Sequence, residues 1–154
     1  MCAGVTPDEL AERPRVELFV RSLAPETARA EQERVIERLG RLEERGRVRA
    51  VDVHVCGACI CPSTAAAETE VGQFLLDRFE RFESWAEDRG RSLVGFRRRC
   101  VDSMVAGETV TGVTFPRMTL AEFADGDLRF VAPSTNSGTS TVMDRIDQIA
   151  DGDA

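Results

Sequence analysis

The sequence predicts an α+β fold, specifically a ferredoxin-like sandwich with two helices on one face of an antiparallel sheet. Three observations predict it. Stretches of strict apolar–polar alternation take turns with stretches whose apolar residues recur at helical spacing. The C-terminal half reads as a run of short strands. An Asp125-Gly126 pair between two apolar runs marks a hairpin. An additional C-terminal strand and a short helix complete the pattern.

The elements follow in order. Thr6-Pro7-Asp8-Glu9 combines a capping Thr, a Pro at the first helical position and a Glu three residues after the cap, so a short helix begins there and Pro14 ends it. Val16, Leu18 and Val20 alternate with Arg15, Glu17, Phe19 and Arg21, which predicts a half-buried strand. Pro25-Glu26 opens a helix to about Arg45, with Val35, Ile36, Leu39 and Leu42 as its stripe and Gly46 as its stop. Val51, Val53 and Val55 mark a second strand, with Asp52, His54 and Cys56 opposite.

Pro62-Ser63-Thr64 begins a second long helix that ends near Gly90. Val71, Phe74, Leu75, Phe79, Phe82 and Trp85 sit on it at core spacing and pack on the sheet. Leu93–Val101 and Val110–Phe115 read as strands around Gly107, and Met118–Phe123 with Leu128–Ala132 as the hairpin. A Ser/Thr/Gly loop, Ser134 to Ser140, leads to a last helix carrying Val142, Ile146 and Ile149. With both helices on one sheet face, the other shows Phe19, His54 and Cys56 among charges, a face either solvated or used for self-association.

The organisation expected is a flexible segment 1–14 with its short helix, one α+β domain at 15–133, and a Ser/Thr-rich loop with a short acidic helix at 134–154. The charges are distinctive: all 20 basic residues are arginine, Asp and Glu total 27, the net charge is -7, and there is neither lysine nor tyrosine. An acidic surface holds water and cations, and arginine pairs bidentately with carboxylates, so this composition reads as a halophile's cytoplasmic protein. The spread is uneven. Residues 92–118 carry 4 Arg against 2 acids, while 119–154 carry 2 Arg against 7 acids. No signal-peptide pattern and no membrane-length apolar run is present.

Of 5 cysteines, Cys56, Cys59 and Cys61 fall within the stretch His54–Cys61. Cys56 and Cys59 have the spacing that lets two thiolates hold one metal ion, and His54 shares a strand face with Cys56. His54 with the three cysteines fits a tetrahedral zinc site; the three thiolates with Cys100 fit an iron–sulfur cluster. Redox sensing by the dithiol and plain packing of small apolar side chains are the competing readings, the last without any cofactor.

Arg97-Arg98-Arg99 is the only strongly basic run. Alternation turns Arg98 away from Arg97 and Arg99, so the run suits individual phosphate contacts or a solvated edge strand. The absence of lysine excludes phosphate-loop and Schiff-base chemistry in their usual forms, and no nucleophile-elbow or Gly-x-Gly-x-x-Gly pattern occurs. No catalytic residue is assigned.

The pattern Arg15-Val-Glu-Leu-Phe-Val-Arg-Ser-Leu-Ala-Pro25, with Val35–Leu42, Val53-His54-Val55, Ser63-Thr64-Ala65 and Asp125 to Pro133, resembles a family of short haloarchaeal proteins labelled as containing a helix-turn-helix domain. The likeness covers residues 15–133 and implies a transcription regulator or other DNA-associated protein. The cysteine triplet departs from the family's pattern, so a metal role would belong to a subgroup. Three roles therefore stand: a non-catalytic dimeric regulator that binds DNA or another regulator, a metal- or redox-sensing module, and a homodimeric interaction domain.

Overall fold

Strand β1, Arg15–Arg21, has five consecutive buried residues at its centre, so both of its faces are covered. The computed structural model describes residues 13–21, 26–56, 70–102, 109–136 and 138–151. Helix α1 (Glu26–Glu44) carries the chain back so that β2 (Ala50–Cys56) lies parallel to β1, Val16 opposite Val51 and Phe19 opposite His54. Strands β6 (Met118–Ala124) and β7 (Asp127–Ala132) continue the sheet antiparallel on the other side, giving the order β2-β1-β6-β7.

The sequence expectation of a ferredoxin-like antiparallel sheet is corrected here. The sheet is mixed, and the helices divide between its faces. Val16, Leu18, Val20 and Leu120 meet Val35, Leu39 and Leu42 of α1 and Val142 and Ile146 of α3 (Val142–Ala150) on one face. Phe19, Ala121, Phe123 and Val131 meet Leu75, Phe79, Phe82 and Trp85 of α2 (Glu70–Arg89) on the other. The face expected to be either solvated or used for self-association is covered by α2. The physical reason lies in β1: Phe19 is an apolar group on the supposedly polar face, and Glu17 beside it is neutralised by Arg78 of α2.

Both long helices end alike. Gly46 and Gly90 take φ of 71° and 65°, and the two following amides bond back, Arg47 N–H to Leu42 O and Arg91 N–H to Ala86 O. Only glycine adopts that backbone without strain, which stops each helix where the sequence places it. Helix α3 begins on Thr141, whose hydroxyl accepts from the Asp144 amide while the Asp144 carboxylate accepts from the Thr141 amide. The hairpin between β6 and β7 turns through Asp125 and Gly126, φ 55° and 80°, as Asp-Gly predicts.

Strands β4 (Arg97–Asp102) and β5 (Thr109–Thr114) were expected within the sheet, but they pair only with each other among the described residues. They form a separate two-stranded ribbon rooted through Phe96, Val113 and Phe115, which join the aromatic core of Phe79 and Phe82. Pro116 follows that root and cannot donate to a ladder, so the chain breaks out of β5 before entering β6. Short strands β3 (Ser92–Leu93), β8 (Ser134–Thr135) and β9 (Thr139–Ser140) make a third small sheet, in place of the one extra C-terminal strand expected. The short helix expected before Pro14 lies outside the described residues, as does Gly107.

Candidate nucleic-acid interface

The cysteine stretch is the first site the sequence singles out. Alternation along β2 does bring His54 and Cys56 to one face, opposite Phe19 and Arg21 of β1. There His54 acts as an aromatic: its ring stacks on Phe19 at 5.1 Å and lies 4.8 Å from Phe74. Its Nε2 is buried and finds no hydrogen-bond partner among the described residues. Cys56 is 2% exposed, and its thiol donates to the Val20 carbonyl at 3.6 Å. Burial pushes that thiol from 9.0 up to about 11, with the Arg21 guanidinium pulling weakly the other way. It is therefore a protonated core group at neutral pH, the opposite of an activated thiolate. Cys59 and Cys61 lie outside the described residues, and Cys100 sits in β4 opposite Thr111. Among the described residues no three His, Cys, Asp or Glu side chains gather as metal ligands.

The basic run fares differently. Arg97 begins β4 opposite Thr114, with Arg98 and Arg99 next in register opposite Val113 and Gly112. At the foot of the ribbon Arg97 joins two arginines that no local pattern connects to it. A pocket of about 450 Å³ is lined by Arg21, Gly95, Arg97, Thr114, Pro116 and Arg117. No acid is among those residues, and none of the three arginines forms an ion pair among the described residues. The larger groove between α2 and β7, about 530 Å³, is different: Asp77, Glu80, Asp88 and Asp127 offset Arg81, Arg89 and Arg129 there.

The backbone under this pocket is fixed from within. Gln32 of α1 is buried, and its Nε2 donates to the carbonyls of both Arg21 and Arg117, at 3.2 and 3.1 Å. The Arg21 amide also donates to the Arg117 carbonyl, at 2.9 Å. Gly95, at φ 81°, packs so tightly that a Cβ there would stand 2.8 Å from Cβ of Pro116. Arg21 and Arg117 were missed in the sequence because each is an isolated arginine. The one signal was the local excess of arginine over acid across 92–118, which already included Arg97 and Arg117.

The comparison with known families decides where this architecture belongs. A family model described as a helix-turn-helix domain matches residues 8–154. The chain belongs to the helix-turn-helix domain family. No curated protein and no solved structure matches it. In this helix-turn-helix family member, no two helices among the described residues are joined by a short turn: β2 follows α1, β3 follows α2, and β9 precedes α3. Among the described residues, the concavity at the ribbon's foot is lined by three arginines and no acid. No helix of the described residues is long and apolar enough to cross a membrane.

Proposed function

We propose that the chain is a non-catalytic, DNA-associated regulator. The single observation that carries this reading is the helix-turn-helix family match over residues 8–154. Two structural features support its non-catalytic side. The one histidine is packed between Phe19 and Phe74, and the described core thiol of Cys56 is buried and protonated. The acidic, lysine-free composition suits a protein working at high salt, where the phosphate contacts that dominate DNA affinity are weakened and a concentrated local cluster of arginine matters more than net charge.

The test is selection from a pool of random-sequence duplexes with the full chain in KCl. The regulator reading expects a sequence motif to be enriched over successive rounds. A pool that stays random, with no retention above that of an unrelated acidic protein, contradicts it.

A further inference from the structure

We infer that the pocket of Arg21, Arg97 and Arg117 is a phosphate-binding site that grips the backbone of duplex DNA beside the β4–β5 ribbon. The inference rests on the DNA-associated reading and names the surface that carries it.

Charge is the first argument. The chain has a net charge of -7, and Arg15, Arg38, Arg41, Arg78 and Arg145 all pair with carboxylates. Against that background, three arginines line one acid-free concavity. Like charges brought together repel one another, so an anion between them is the favourable occupant. Guanidinium forks match phosphate oxygens two at a time, which makes three arginines a suitable cradle for a phosphodiester.

Construction is the second. The three arginines come from the end of β1, the start of β4 and the turn before β6, and Gln32 ties two of those segments together through their carbonyls. The close packing of Gly95 on Pro116 holds the ribbon's foot against the same turn. The backbone that presents the arginines is therefore set before any ligand arrives, which lowers part of the ordering cost of binding. Thr114 also lines the pocket, and its buried hydroxyl has no partner among the described residues.

Shape is the third. A two-stranded antiparallel ribbon is one of the elements that the DNA major groove admits, and phosphate contacts at its foot would set its register there. Arg97, in the pocket, is directly followed in β4 by Arg98 and Arg99.

The experiment measures binding of a fluorescently labelled random-sequence duplex by anisotropy over a KCl series. Wild type is compared with the Arg21→Gln/Arg117→Gln double variant and with Arg129→Gln, which lies in the other groove. Circular dichroism and melting establish that each variant is folded. Each lost phosphate contact flattens the log–log salt dependence by about 0.9, so the double variant should be shallower by about 2 and bind about tenfold more weakly at low salt, with Arg129→Gln unchanged. Should the double variant not fold, Arg97→Gln alone should flatten the slope by about 1. Unchanged slope and affinity in the folded variants would overturn the pocket while leaving the DNA reading intact; a wild-type chain that binds no duplex overturns both.

Discussion

Arg78 of α2 clamps Glu17 of β1 at two points, Nε to Oε1 at 2.7 Å and Nη2 to Oε2 at 3.0 Å, with the carboxylate 1% exposed. The same guanidinium lies 4.5 Å from the ring centroid of Phe74 and 5.0 Å from that of Phe123. On the opposite sheet face Arg145 of α3 clamps Glu122 of β6 in the same two-point manner and stacks 4.3 Å from Phe130. Glu122 pairs with Val16 and Glu17 with Ala121, so the two buried carboxylates are held back to back across one ladder. Each needs a planar, fork-shaped cation that also tolerates aromatic contact, which arginine supplies and lysine does not. Part of the lysine-free composition is therefore structural.

Truncating Arg78 to Ala should cost about 3–5 kcal/mol, since among the described residues it leaves the buried Glu17 carboxylate with Arg15 as its one ion-pair partner. Arg78→Lys should recover part of that loss and not all of it, because a point charge cannot make both bonds. Denaturant unfolding reads both values. A Lys variant as stable as wild type would refute the structural explanation for arginine at this position.

Gln32→Leu keeps the helix stripe apolar but removes two bonds to the Arg21 and Arg117 carbonyls. A loss of about 1–3 kcal/mol is expected at roughly 1 per bond. Unfolding midpoints measure it, and a neutral result would mean that the Arg21 amide bond to Arg117 alone fixes this junction.

Gly95→Ala meets two obstacles at once, a φ of 81° and a contact 2.8 Å from Pro116. The expected loss is about 1–3 kcal/mol. Gly126→Ala shares the positive φ but has open space around it, so it should cost less in the same melting assay.

Cys56 makes stability fall in alkali. Its thiol titrates near 9.0 when unfolded and near 11 when folded, so the unfolded chain loses the proton first. The contribution is fully present below pH 9 and disappears as pH rises through about 11, a loss of about 3 kcal/mol by linkage. With no lysine or tyrosine in the chain, thiols are the only side chains that titrate in this window. Melting curves of wild type and Cys56→Ala should converge as pH rises from 8 to 11; parallel curves would contradict the assignment.

Much of the fold was legible wherever one residue dictates the backbone. Gly46 and Gly90 end their helices, and Asp125-Gly126 turns the hairpin. The layering was not legible from alternation alone. A strand with Glu17 and Phe19 on one side reads as half-solvated until the partner of Glu17, Arg78, is brought in from a helix 61 residues away. The ribbon was misplaced for a similar reason: strand pattern gives pairing partners, while the break at Pro116 decides which sheet they join. Of the candidate site, Arg97 was visible as part of a run. Arg21 and Arg117 were not, because the contact that unites them is a backbone junction pinned by Gln32.

Hydrogen exchange of the full chain with and without a saturating duplex tests the central claim most directly. The account predicts that DNA slows amide exchange along Arg97–Asp102, Thr109–Thr114 and the turn at Arg117, and leaves α1 and α3 as they were. Protection confined to α1 or α3, or no protection anywhere, would contradict it.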